Sequence, residues 1–116
     1  MSRARILNIS VRVLDPVNTV VDLEGAIDLQ NSRGLRTTLF ERLAATSRLA
    51  LNMTDIRYID SSGIATLVEV FKQARDLEKD FVLFGLGPTV YDVLKLTNLL
   101  GLFRVTDTED HALGGQ

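Results

Sequence analysis

The sequence predicts an α/β domain: a mixed, mostly parallel sheet with an N-terminal hairpin and helices packed on it. Three observations predict it. Apolar and polar residues alternate near the start, apolar residues recur every three or four positions in three later segments, and one short run is apolar throughout. A period of two belongs to a half-buried strand and a period near 3.6 to a helix with one buried face. An unbroken apolar run suits a strand covered on both sides.

Leu7, Ile9, Val11 and Val13 share one face of the first strand, with Asn8, Ser10 and Arg12 on the other. Asp15-Pro16 marks a turn. Thr19, Val21 and Leu23 resume the alternation against Asp22 and Glu24, completing an antiparallel hairpin that Gly25 ends. Leu35, Leu39 and Leu43 then form a helical stripe, with Gly34 weakening its first turn and Asn31 or Ser32 able to cap it. A third strand follows at Leu49, Leu51 and Met53. Behind Asp60-Ser61-Ser62-Gly63, the residues Ile64, Leu67, Val68 and Phe71 have the spacing of a second helix. Asp76 to Asp80 is a charged turn, and Phe81-Val82-Leu83-Phe84 is the doubly covered strand. After a Gly85-Leu86-Gly87-Pro88 loop, Thr89 and Asp92 resemble a capping box for a helix carrying Val90, Val93 and Leu94. Gly101 stops that region, and Leu102 to Val105 is a last strand. Residues 107–116 are a polar end, expected to hold a short helix and a loose tail. Strands alternating with helices argue for parallel pairing beyond the hairpin.

With 116 residues, no linker and no repeat, the chain is expected to be one domain spanning 1–116. Thirteen basic residues stand against 15 acidic ones, so the net charge of -2 gives no reason to expect a nucleic acid or membrane surface as partner. Without cysteine, disulfides and thiolate chemistry are excluded, and a histidine-based site would have to be built around His111. Neither a membrane-length apolar run nor a secretion signal is present, so a cytoplasmic domain without membrane insertion is expected. No Gly-x-Ser-x-Gly elbow surrounds Ser61 or Ser62, which argues against a serine hydrolase. Gly85-Leu86-Gly87 lacks a third glycine and a lysine-serine pair, and Pro88 removes a backbone donor, so it makes a poor phosphate cradle. The expectation is a protein without enzymatic activity, cofactor or metal.

Asp60-Ser61-Ser62-Gly63 carries the functional information. Three consecutive residues there are good helix caps where one would suffice. A helix start offers unpaired N–H groups and a partial positive charge, so it tolerates a phosphate. Gly63 is expected to leave the backbone approachable. On chemistry alone, capping and a regulatory serine both remain open, and Asp28 serves equally well as a turn residue or as part of an acidic edge.

With Ile64 behind it, a strand before it and a striped helix after it, this segment resembles the phosphorylation motif of STAS domains, the bacterial anti-sigma factor antagonists. Gly25-Ala26-Ile27-Asp28 is similar to the family's Gly-Glu-aliphatic-Asp, and the β/α order agrees along nearly the whole chain. The resemblance implies a STAS-like fold and a phosphoacceptor role for Ser61. It also implies a partner-binding edge comprising Asp28, Asp60, Ser61, Ser62 and Gly63. The implied partner is a serine-kinase anti-sigma factor that binds the unmodified domain and phosphorylates it with its own ATP, and a phosphatase reverses the step. Some STAS domains instead dock on the ATPase of an ABC-type lipid transport complex, which is the alternative. The chain departs from the family pattern at Ala26, where glutamate is usual, and at Ala65, where many antagonists have a second glycine.

Overall fold

The computed structural model describes residues 6–114. In chain order the elements are β1 (Leu7–Val13), β2 (Asn18–Ile27), α1 (Ser32–Ala44), β3 (Arg48–Ile59), α2 (Ser61–Asp76), β4 (Asp80–Phe84), α3 (Pro88–Leu96), β5 (Arg104–Thr106) and α4 (Glu109–Ala112). The strands form one sheet in the order β1-β2-β3-β4-β5. β1 and β2 pair antiparallel, and every later pair is parallel. This is the mixed sheet with an opening hairpin that the alternation predicts.

Strand alternation sorts side chains into two cores. Val21 and Leu23 of β2, Leu49, Leu51 and Met53 of β3, and Phe81 and Leu83 of β4 face one side. There they meet Leu35, Leu39 and Leu43 of α1, Leu67, Val70 and Ala74 of α2, and Val90 and Leu94 of α3. Their even-numbered neighbours Val20, Ala50, Val82 and Phe84 face the other side and pack with Ala112 of α4. Hence β4 is apolar from Phe81 to Phe84, because both its faces are covered there.

Several boundaries differ from expectation. Gly25 does not end β2. It pairs with Leu7 inside the strand at a φ of 115°, beside register shifts in the β2–β3 ladder. A Cβ there would collide with the Ile6 carbonyl oxygen, so the position needs glycine at an irregularity in the strand. β3 continues to Ile59, well past Met53. Thr89 forms no capping box, because α3 starts at Pro88 with Gly87 in the cap position. Asn98, at a φ of 61°, follows the end of α3 well before Gly101, and β5 begins at Arg104 instead of Leu102.

The polar end is not loose within the described residues. Ala112 is fully buried, and Arg12 donates to Glu109 Oε1 at 2.6 Å. Arg48 Nη1 donates to the Leu113 carbonyl, also at 2.6 Å. Two arginines of the sheet thus hold the segment in place. Residues 115 and 116 lie outside the described residues.

Candidate functional site

The parallel strands β2 and β3 finish side by side at Ile27 and Ile59. The next residues are Asp28 and Asp60, so the topology brings the two aspartates to the same edge. In parallel α/β sheets, this carboxyl end is where binding sites form. Asp60 N–H donates to the Ile27 carbonyl at 3.1 Å, linking the two loops directly.

Asp28 is nearly buried, and its carboxylate accepts backbone N–H bonds from Gln30 at 3.0 Å and Asn31 at 3.2 Å. Asn31 replies with its side-chain oxygen on Asp28 N–H and its amide group on the Ala26 carbonyl. Asn31 occupies the cap position of α1 yet makes no side-chain cap bond, because its Oδ1 accepts from Asp28 N–H in this turn instead. The turn-residue role of Asp28 is therefore visible in the geometry.

Asp60 caps α2. Its Oδ1 accepts from Ser62 N–H at 3.0 Å, Gly63 N–H at 3.1 Å and the Ser62 hydroxyl at 2.6 Å. The Ser62 hydroxyl contributes most to holding this carboxyl below the usual carboxylate range; the N–H groups of Gly63, Ser62 and Leu29 add to it, and desolvation opposes it. Because Asp60 takes the N–H groups of Ser62 and Gly63, a phosphate arriving at this helix start would find those donors occupied. The sequence left that competition out of account.

The two serines are therefore not equivalent. Ser62 is half-buried and its hydroxyl is committed to Asp60. Ser61, the first residue of α2, is exposed, and its hydroxyl makes no hydrogen bond among the described residues.

Gly63 does not keep the backbone open. It is buried, and a Cβ on it would come within 2.7 Å of both Ile27 Cγ2 and Ile59 Cγ1. Its lack of a side chain lets the first turn of α2 sit directly on the ends of β2 and β3, which fixes where Ser61 stands. Gly63 thus belongs to the platform under the edge and not to its surface.

Outside this edge, the Thr54 side chain fills the space beside Gly85, closing that loop against β3. Lys79 donates to the carbonyls of Leu43 at 2.8 Å and Ala44 at 3.1 Å, finishing α1. Among the described residues, no group of histidine or carboxylate side chains could hold a metal ion, and no helix is long and apolar enough to cross a membrane. Sequence reasoning missed Arg33 and Arg36, which stand with Leu29 and Ser62 around an open groove between α1 and α2. Nothing in the spacing of these arginines marks them.

Comparison with known proteins agrees with this architecture. The STAS domain family model matches residues 8–112. An anti-sigma-B factor antagonist of Listeria monocytogenes is 24% identical over 111 residues, which cover 93% of this chain and 97% of the relative. The crystal structure of an anti-sigma factor antagonist from Mycobacterium paratuberculosis superposes with a TM-score of 0.84 at 23% identity, covering 94% of this chain and 92% of that one. The Bacillus cell fate determinant SpoIIAA in its phosphorylated form gives 0.72 at 17% identity, over 92% of this chain and 97% of that one.

Proposed function

The chain belongs to the STAS domain family, and from that membership we propose that it is a phosphorylation-controlled anti-sigma factor antagonist. In its unmodified form it binds a serine-kinase anti-sigma factor through the edge formed by Asp28, Asp60, Ser61 and Ser62. The kinase transfers the γ-phosphoryl group of its own ATP to Ser61 Oγ, releasing ADP and a proton, and the association ends. A phosphatase hydrolyses the phosphoserine and restores the binding form.

One observation carries this function: of two adjacent serines at the start of α2, Ser61 alone presents a free, exposed hydroxyl, while Ser62 is tied to Asp60. The surroundings make a phosphate effective. It adds about -1.5 to -2 charges, one residue from the Asp60 carboxylate and at a helix start whose next two donors are already taken. At about 5 Å and an effective dielectric near 20, each pair of like unit charges costs roughly 3 kcal/mol before screening. A hundredfold loss of affinity needs about 2.7 kcal/mol, so one phosphate beside an acidic group of the partner suffices without refolding. The relatives named above favour this function over docking on the ATPase of an ABC-type lipid transporter.

The test uses the anti-sigma kinase of the source cell with ATP. One phosphate is expected on the wild type and on Ser62→Ala, and none on Ser61→Ala, with circular dichroism unchanged by phosphorylation. Stoichiometric labelling of Ser61→Ala would remove the assignment.

A further inference from the structure

Beside Ser61, α1 and α2 enclose an open groove of about 350 Å³, which Leu29, Arg33, Arg36, Ser62, Ala65 and Glu69 help to line. Ser62 belongs both to the groove wall and to the cap of α2, so the groove continues the proposed binding edge. Its charges are unevenly committed. Arg36 pairs with Glu69 at 3.0 Å across the groove and lies 4.7 Å from the centre of the Phe40 ring. Arg33 is exposed, and its guanidinium has no ion pair or hydrogen bond among the described residues. Leu29, beside it, is 76% exposed.

The neighbouring carboxylates do not answer Arg33. Neither Asp28 nor Asp60 pairs with it: Oδ1 of Asp28 accepts from backbone N–H groups, and Oδ1 of Asp60 from backbone N–H groups and the Ser62 hydroxyl. Of the charged side chains lining the groove, Arg36 and Glu69 pair with each other, which leaves Arg33 as the unpaired charge there, although the chain as a whole carries -2.

We propose that this groove binds an acidic segment of the protein partner. Arg33 is the anchor, Arg36 is drawn from Glu69, and Leu29 packs against an apolar residue adjoining the partner's carboxylates. A guanidinium matches a carboxylate through two parallel hydrogen bonds, which a lysine cannot reproduce. Exchanging Glu69 for a partner carboxylate costs little, since exposed ion pairs such as Arg36–Glu69 contribute little. The inference rests on the proposed function only in taking the α1–α2 edge as the partner's landing place; it does not require phosphorylation of Ser61.

Two measurements separate the two ideas. In the first, isotope-labelled protein is titrated with the synthetic peptide Glu-Glu-Leu-Glu-Glu and with its lysine counterpart. The acidic peptide is expected to shift the amide signals of Leu29, Arg33 and Ala65, the lysine peptide to leave them in place, and Arg33→Glu to abolish the effect. Shifts spread equally over Arg57 and Arg104, or surviving in Arg33→Glu, would overturn the groove assignment. In the second, binding of the serine kinase is measured with folded variants matched by circular dichroism. Arg33→Glu should weaken it by roughly tenfold or more, Arg33→Lys by less, and Glu69→Gln should bind as well as wild type or better. Wild-type affinity in Arg33→Glu overturns the groove while leaving Ser61 untouched. If no kinase labels the wild type, the phosphorylation proposal fails and the peptide titration still decides the groove.

Discussion

Replacing Gly63 with alanine should destabilise the protein, although alanine is the better helix former. The new Cβ would lie 2.7 Å from Ile27 Cγ2 and 2.7 Å from Ile59 Cγ1. Ile27 is 0% exposed and Ile59 4%, so neither can swing into solvent. Overpacking of this kind costs about 1–3 kcal/mol. Helix propensity returns at most about 1 kcal/mol, and less in a first turn. The net expectation is a loss of about 1–2 kcal/mol, or roughly 3–6 °C in melting temperature per kcal/mol for a chain of this size. Gly34 is the control: it lies in the first turn of α1 with nothing within 4 Å of its would-be Cβ. There propensity acts alone, and Gly34→Ala should stabilise by about 0.5–1 kcal/mol. Urea unfolding followed by circular dichroism measures both. If Gly63→Ala matches or exceeds the wild type while Gly34→Ala gains as expected, close seating of α2 on the strand ends is refuted.

Other outcomes follow from single contacts. Asp60 has its folded-state pKa lowered, so its contribution to stability is fully present above the ordinary carboxylate range and is lost as pH falls through the folded value. Asp60→Asn retains a capping oxygen but does not titrate; between pH 5 and 2.5 it should lose less stability than the wild type, with Asp15 and Asp22 accounting for acid sensitivity that remains. Glu78 is exposed at a φ of 57°, a region costly for a side chain, so Glu78→Gly should raise the urea midpoint by an amount worth about 0.5–1 kcal/mol. Lys79→Ala leaves the Leu43 and Ala44 carbonyls without their ammonium partner. It should cost about 1 kcal/mol and speed hydrogen exchange in the last turn of α1.

What the sequence reveals is what its periodicity encodes. Leu7 to Val13, the leucines of α1 and the stripe of α2 are repeating patterns set by one buried face, and they predict the elements and the mixed sheet. Features that depend on partners remote in sequence stay hidden. The second half of β3 shows buried residues only at Ile56 and Ile59, because its ladder with β2 shifts register there and the simple alternation is lost. Gly63 reads as an opening in a linear sequence and becomes a contact only once Ile27 and Ile59 are brought beneath it. The anchoring of Glu109 and Leu113 depends on Arg12 and Arg48, each more than sixty positions away. At the site, Asp60-Ser61-Ser62 was legible as a cap and as a motif, but which serine keeps a free hydroxyl was decided by a single 2.6 Å bond.

The order of the strands bears on how the chain assembles. Each strand lies beside the one made just before it, from β1 to β5. No strand must insert between two already paired, so the sheet can lengthen in the direction of synthesis, every newcomer meeting a finished template. α4 is the last element among the described residues and closes over Val20, Ala50 and Val82. Until it docks, those three side chains remain wet, and a nascent chain stalled just short of α4 would offer a greasy underside to any chaperone waiting at the ribosome.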